Sequence, residues 1–371
     1  MLKNVLGVVL TANENPDLYS LTAHRPLAMV PIGGRYRVTD FILSNLVNAG
    51  ISNVSFFAYQ PYQSLLNFFS NSRSWDLDRK NGGLKMYFQN TMEQGYTGSE
   101  LMHIYRNLDR LITPTVEYVL VSRVGVICNI DFEEMADLLE ADSKADVVCA
   151  YARRPSNYHY CTDQVIFKRT GKRITSTGVN TERSRIVNLD MGMYLMSVDV
   201  FKRLIIEGVE DLECNTFQQF FYRSLRNLNV IGYEYNGFVS PITNLSNYFK
   251  ANMAILDPIA SEELFYGPRK IYTVSRDEAP TYYSERSRVE NSFFGTGCSI
   301  EGHIKNSVIS RRVTIEPGAI VENCVIFSDT TIRSGARLKN VIVDTNCEIS
   351  ENNELAGNPE TPLIIPKRTR I

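Results

Sequence analysis

Between residues 308 and 338, side chains of one kind recur at an interval of six: Val308, Thr314, Ile320, Ile326, Ile332 and Leu338. A neighbouring set, Val313, Ala319, Val325, Thr331 and Val343, keeps the same interval, with Arg337 interrupting it. A helix repeats every 3.6 residues and a strand every two, so neither accounts for the pattern. A period of six fits a parallel β-helix, in which three short edges close one coil and apolar side chains stack inward. Gly318 and Gly335 fall near the corners of such coils. About three to four coils fit between Val289 and Ser350.

The residues before this stretch keep a different rhythm. Val5 to Leu10 is an apolar run of strand length, and Val54 to Tyr59, Tyr118 to Val121, Ala145 to Ala152, Met191 to Met196 and Val230 to Tyr235 read as further strands. Helical patterns lie between them. One runs from Asp40, a candidate cap, along Ile42, Leu43, Leu46 and Val47 to a stop at Gly50. A second opens at Pro61 and carries Leu65, Leu66, Phe68 and Phe69. Ser99 caps a third, whose buried face is predicted to be Leu101, Ile104, Tyr105, Leu108 and Leu111. Asp131 and Glu134 stand at capping-box spacing. Val198 to Ile206 and Thr216 to Leu228 continue the pattern, and Asn244 caps a last helix ending near Asp257. Alternating strands and helices predict an α/β domain, Rossmann-like, with a mostly parallel mixed sheet covered on both faces. The predicted organisation is an α/β domain over 1–257, a proline- and tyrosine-rich linker over 258–286 packed on one or both domains, and a left-handed β-helix over 287–371.

Bulk properties narrow the function classes. The net charge of −2 gives no reason to expect nucleic acid or an anionic membrane as partner. No apolar run approaches the ~18 residues of a membrane span. The chain opens Met1-Leu2-Lys3-Asn4 and runs into a strand without a signal-peptide pattern, which predicts a cytoplasmic protein. Seven cysteines without a C-x-x-C pair read as reduced buried thiols, and four scattered histidines suggest no metal site.

A strand, loop and helix at the start of an α/β chain is a usual place for phosphate chemistry. This loop is the wrong kind. No glycine stands between Thr11 and Leu27, and Glu14 and Asp17 put negative charge where a triphosphate needs positive. The segment that follows, Pro31-Ile32-Gly33-Gly34-Arg35-Tyr36-Arg37-Val38-Thr39-Asp40-Phe41-Ile42-Leu43-Ser44-Asn45, resembles the signature of ADP-glucose pyrophosphorylases, the glucose-1-phosphate adenylyltransferases. Trp75-Asp76-Leu77-Asp78-Arg79 with Gly82-Gly83, and Ala251-Asn252-Met253, are further matches. The resemblance is to the GlgD-type branch, the non-catalytic regulatory subunits. It covers nearly the whole chain, because the family carries a left-handed β-helix at its C-terminus.

The resemblance implies which chemistry should be present. The family's first loop reads Gly-Gly-x-Gly-x-Arg-Leu, followed by Lys-Pro. Counted back from Gly33-Gly34, those glycines fall on Ala12, Asn13 and Asn15, the arginine on Asp17 and the lysine on Leu27. Two aspartates hold Mg²⁺ in the family. The Gly-Asp pair of the first falls on Val124 and Gly125; the second falls on Pro241, and its neighbouring glycine on Thr243. The sugar-phosphate lysine has no counterpart between Arg173 and Asn188. Nucleotidyl transfer needs cationic charge, a carboxylate-held metal and a cradle of backbone donors. Their joint loss predicts a chain that binds no cofactor and has negligible activity alone, with Mg²⁺ held by a catalytic partner subunit in a hetero-oligomer, expected to be a tetramer.

Gly33-Gly34 and Trp75 to Arg79 read as scaffold. The arginines are the binding candidates: Arg25 and Arg37 match family positions for sugar-phosphate or nucleotide effectors, Arg35 lies beside them, and Arg311, Arg312, Arg333 and Arg337 punctuate the β-helix. For each, a solvated or ion-paired surface role is the competing reading. Two other functions stay open. One is an active sugar-phosphate nucleotidyltransferase with a rearranged site. The other is an acyltransferase built on the repeats, for which His303 is the sole candidate base.

Overall fold

The computed structural model describes residues 2–11, 18–59, 63–69, 72–80, 82–89 and 98–371. Pro61 and the first-loop positions Ala12, Asn13, Glu14, Asn15 and Asp17 lie outside them. The chain divides into two compact units. One takes the described residues of 1–14, 41–239 and 269–272; the other takes those of 15–40, 240–268 and 273–371.

The first unit is built on a nine-stranded sheet. Its strands are β1 (Val5–Leu10), β2 (Asn53–Ala58), β3 (Gly83–Phe88), β4 (Tyr118–Arg123), β5 (Val147–Pro155), β6 (Val165–Thr170), β7 (Arg173–Val179), β8 (Ile186–Ser197) and β9 (Val230–Tyr235), in the order β3-β2-β1-β4-β8-β5-β9-β7-β6. The half from β3 to β4 is parallel, and β9 is parallel to β5. Strand β8 runs antiparallel to both β4 and β5. Buried on both faces, β1 and the middle of β4 are apolar throughout, as a central parallel strand must be. Helices α1 (Val38–Asn48), α2 (Glu100–Arg106), α3 (Phe132–Ala141), α4 (Val198–Glu210) and α5 (Phe217–Ser224) follow the predicted stretches. Side chains from α2, α4 and α5, among them Leu101, Phe201 and Phe221, join sheet residues in one core.

Local expectations were corrected in two places. Tyr105 is 45% exposed, because the helix breaks at Asn107 and its apolar face does not continue straight through to Leu108. Asp131 does cap α3, but its carboxylate accepts from Glu133 N at 3.0 Å, while the Glu134 carboxylate accepts from the Tyr233 hydroxyl. The reciprocal capping box lies instead at the start of α5, between Thr216 and Gln219. Ser99 and Asn244 cap as predicted. Trp75 is buried against Phe68 and Phe69 and Leu77 is buried as well, while Asp76, Asp78 and Arg79 are exposed, so only the apolar half of the Trp75–Arg79 stretch is packed.

The second unit contains a left-handed parallel β-helix of three five-stranded parallel sheets. Its first strand is Tyr282–Tyr283 and its last Leu363–Ile365. The inward ladder is Ile309, Ile315, Val321, Ile326, Ile332, Leu338, Val343 and Ile349, all essentially inaccessible. Ile326, Ile332 and Leu338 were placed correctly by the six-residue interval. Val308, Thr314 and Ile320 were read one position early, and Ile320 is 37% exposed. The cause is a 17-residue coil: strand partners are Ile309↔Ile326, Ile315↔Ile332 and Val321↔Leu338. One corner, at Asn306, Asn323 and Asn340, is a residue shorter than the others. Those asparagines have φ of 46°, 50° and 52°, a conformation that asparagine tolerates better than most residues.

One sheet of the coil is apolar on both faces. Ile309, Ile326 and Val343 point inward, while Val308, Val325 and Ile342 are buried on the outside. The Pro31–Arg37 hairpin packs in this unit. Gly34 has φ +73°, and a Cβ there would stand 3.0 Å from Ile309 O and 3.4 Å from the Phe293 ring. Tyr36 stacks on Phe265 at 4.9 Å, and Phe265 meets Phe293 at 5.8 Å. Helix α6 (Leu245–Ala254) ties the hairpin down: Gly33 N donates to Asn252 Oδ1 at 3.1 Å, and the Tyr248 hydroxyl donates to Pro31 O. Two of the matched motifs therefore meet, and their shared task is architectural.

Candidate functional site

In open α/β sheets, ligands sit beyond the carboxyl ends of the strands. Here that end of β4 is occupied by the protein's own polar groups. A backbone irregularity between Asp190 and Tyr194 interrupts the β8–β5 pairing. Within it Gly192 adopts φ +66°, and an added Cβ would press on the Arg123 side chain at 3.2–3.3 Å. The Asp190 carboxylate accepts from Gly192 N at 2.9 Å, the Tyr194 hydroxyl at 2.6 Å, Gln218 Nε2 at 2.8 Å and the Tyr222 hydroxyl. Gln218 Oε1 accepts from Arg123. Burial, and then the Asp190 charge, push both tyrosines well above the usual phenol range, so they remain protonated donors. The network runs from a cation through an amide to a carboxylate and is satisfied internally. None of its members was singled out from sequence. The available signal was a carboxylate two residues before a glycine, inside an otherwise largely apolar strand.

Gly125 lies between β4 and the short strand Val126–Cys128, and Pro241 ends the buried strand Val239–Pro241. Neither has a side-chain oxygen, so the residues onto which the count from the resemblance places the two metal aspartates do not fit Mg²⁺. Leu27 lies in the short 3-10 turn Leu27–Met29 and brings no charge. Among the described residues no group of three or more His, Cys, Asp or Glu side chains is placed to hold a metal ion. His303 lies on a coil strand, His303–Lys305.

The second unit gathers cations. Arg25, 10% exposed, directs Nη2 at both oxygens of the fully buried Asp344, at 2.6 Å to Oδ1 and closer still to Oδ2. Its guanidinium carbon lies 5.7 Å from the Phe327 ring centroid. Arg37 donates to Met29 O at 2.8 Å. Burial chiefly pulls its pKa down to about 10; Asp40 opposes that, while Arg25, Arg276 and Arg311 add to it. Arg311 donates to Val274 O at 3.2 Å, and its pKa is lowered by burial and by Arg276, Arg35 and Arg312, against Glu278. Arg35 is exposed and lies over the Tyr36 ring at 5.0 Å. Arg312 grips Asp329 bidentately at 2.6 and 2.8 Å and also reaches Glu278.

Six guanidinium groups are thus linked through Arg37, which feels Arg25, Arg276 and Arg311, and through Arg311, which feels Arg276, Arg35 and Arg312; they face four carboxylates, Asp344, Asp40, Glu278 and Asp329. Burial raises one of these, Asp40, to about 7. The fold brings together Arg25, Arg35, Arg37, Arg311 and Arg312 of the predicted set and adds Arg276, which no sequence period marks. Arg333 is held instead by Glu316 at 2.7 Å and Glu348 at 2.6 Å, and Arg337 faces Glu354 at 3.8 Å on the next coil.

An α/β domain joined to a hexapeptide β-helix, with a basic cluster beside the coils, defines a class of sugar-nucleotide transferase-like proteins. Residues 279–362 match the profile described as GlmU-like, C-terminal hexapeptide. The glycogen biosynthesis protein GlgD of Bacillus subtilis is 30% identical over 98% of this chain and 96% of its own length. A glucose-1-phosphate adenylyltransferase of Lachnospira eligens is 31% identical over 85% of this chain and 74% of its own. That of Bacillus mycoides is 29% identical over 85% of each. The chain belongs to the glucose-1-phosphate adenylyltransferase family, and its similarity to GlgD extends almost end to end. No helix among the described residues is long and apolar enough to cross a membrane.

Proposed function

We propose that this chain is a regulatory, non-catalytic subunit of an ADP-glucose pyrophosphorylase acting in glycogen synthesis in the cytoplasm. In that reaction a glucose 1-phosphate oxygen attacks the α-phosphorus of ATP and diphosphate leaves. The observation that carries the reading is the side chains at the two metal positions, Gly125 and Pro241. Without a metal, and with Leu27 in place of a lysine, the charge that develops on the transferring phosphoryl group has no counter-charge at these positions. A catalytic homologue, joined with this chain in a hetero-oligomer, supplies the Mg²⁺ site. The arginine cluster then receives a phosphate-bearing effector, and the response passes to the partner as a coupling free energy.

The test is a rate measurement in two settings. The purified chain alone is expected to make no ADP-glucose above background at saturating ATP, glucose 1-phosphate and Mg²⁺. Mixed with the catalytic subunit from the same source, it is expected to co-elute as a mixed species and to change that subunit's rate or effector response. A robust Mg²⁺-dependent rate from the chain alone would overturn the reading in favour of a rearranged active site.

A further inference from the structure

The arginine cluster is graded from buried to exposed. Arg35 and Arg276 reach solvent, Arg37, Arg311 and Arg312 are half-buried, and Arg25 is at the closed end. What meets Arg25 there is a carboxylate on the first residue after a coil strand, Val341–Val343. Asp344 is held in place by its own backbone: its N–H donates to Ile365 O at 3.0 Å, its carbonyl accepts from Thr330 Oγ1 at 3.1 Å, and its Oδ1 accepts from Thr345 N at 2.5 Å. Two oxygens facing one guanidinium, with a backbone N–H on one of them, is the donor set that a phosphate group would meet.

We propose that Asp344 is a tethered anion that fills the innermost seat of an arginine site built for a phosphate group. An incoming phosphate is thereby confined to the exposed end, at Arg35 and Arg276, with the half-buried Arg311 next to them. The inference rests on the reading of the cluster as an anion-binding site and specifies its regulation: the chain carries a competing ligand within its own coil. Removing the carboxylate's charge leaves the Arg25 guanidinium buried without a counter-ion, a costly state that a soluble anion relieves. Binding to the folded state alone then stabilises it by mass action.

The experiment uses the full-length chain by itself, so its outcome does not depend on any partner or on catalysis. Inorganic phosphate is titrated into the parent, Asp344→Asn and the double variant Arg25→Ala/Asp344→Asn, with binding read by calorimetry and by the shift in melting temperature. Asp344→Asn is expected to bind phosphate at least ten-fold more tightly than the parent, and the double variant to return to the parent's affinity. Equal affinity in Asp344→Asn and parent overturns the proposal. So does tighter binding that survives loss of Arg25, which would mean that net charge alone matters. Hydrogen exchange on the parent provides a second reading should the variant fail to fold. Phosphate is expected to protect the 35–37 backbone and leave Thr345 N–H unchanged. Deprotection of Thr345 by phosphate would show that the seat is open to displacement, and the proposal would fall.

Discussion

The network around Asp190 and the cluster around Arg25 answer the same problem, buried charge, in opposite ways. Around Asp190 a single carboxylate takes four donors, and the cation Arg123 is engaged by an amide. Around Arg25 cations outnumber carboxylates, and the buried Asp40 is partly protonated near neutral pH, which widens the imbalance. A closed network fixes a conformation and admits nothing; a charge surplus close to solvent seeks a ligand. The difference separates the two candidate sites by chemistry: the carboxyl end of β4 is filled by side chains that satisfy one another, and the basic cluster is the place proposed for an anion.

The sharpest way to break the contrast is Arg25→Ala. Removing one partner of a buried ion pair leaves the other charge uncompensated, which costs about 3–5 kcal/mol. Urea unfolding of the variant should register a loss of this size; one below about 1 kcal/mol would mean that Asp344 is not held by Arg25, and the cluster's inner end would need a different description.

Asp40 gives the next largest effect, through pH. Its folded pKa of about 7 lies above the ordinary value of 3.8 because of burial, with Thr273 and Arg37 offsetting part of the rise. The folded state therefore holds this proton more tightly than the unfolded chain. The stabilisation is fully present below about pH 4 and is lost as pH rises to about 7, on the order of 4 kcal/mol in total. Asp40→Asn removes the titration, so the stability difference between variant and parent should shift in the variant's favour between pH 5 and pH 8. A difference that is the same at both pH values would show that Asp40 stays ionised throughout and adds nothing to the cationic surplus.

In the sealed network, Asp190→Asn keeps the shape but turns one acceptor oxygen into a donor facing donors. The expected loss is about 1–3 kcal/mol. Phosphate titration should show no change in affinity, since the network and the cluster belong to different compact units. A change in anion binding would join the two regions and undo their separation.

How much of this was legible in advance depends on whether the information is local. The coils were legible because a stacking repeat writes itself into the sequence. Their register slipped because a corner shortened at Asn323 and Asn340 leaves no apolar signal. Gly33-Gly34 was legible as a turn; that the turn lies against Ile309 and Phe293 was not, because the contact spans hundreds of residues. The arginine candidates were legible one at a time, from the motif and the repeats. Their gathering depends on three distant stretches, 25–37, 276 and 311–312, and the other two candidates, Arg333 and Arg337, looked no different in sequence yet belong elsewhere. Asp190 was passed over because a carboxylate at the end of an apolar run resembles a strand boundary.

Arg337 supplies the smallest effect and the control for the whole comparison. It shares residue type with Arg311 and Arg312 but lies on another strand set of the coil, paired with Ile320 and Glu354, so an account based on composition predicts that it contributes to anion binding too. Its partner Glu354 lies 3.8 Å away, and the two side chains are 65% and 75% exposed. At that exposure solvent screens the pair and the side chains stay mobile, so the bridge is worth no more than about 0.5 kcal/mol. Arg337→Ala should therefore leave the melting temperature within about a degree or two of the parent and phosphate affinity unchanged. Arg311→Ala, in the same titration, should weaken phosphate binding several-fold. Equal losses from both substitutions would mean that the coil's overall charge, rather than the cluster's geometry, draws the anion.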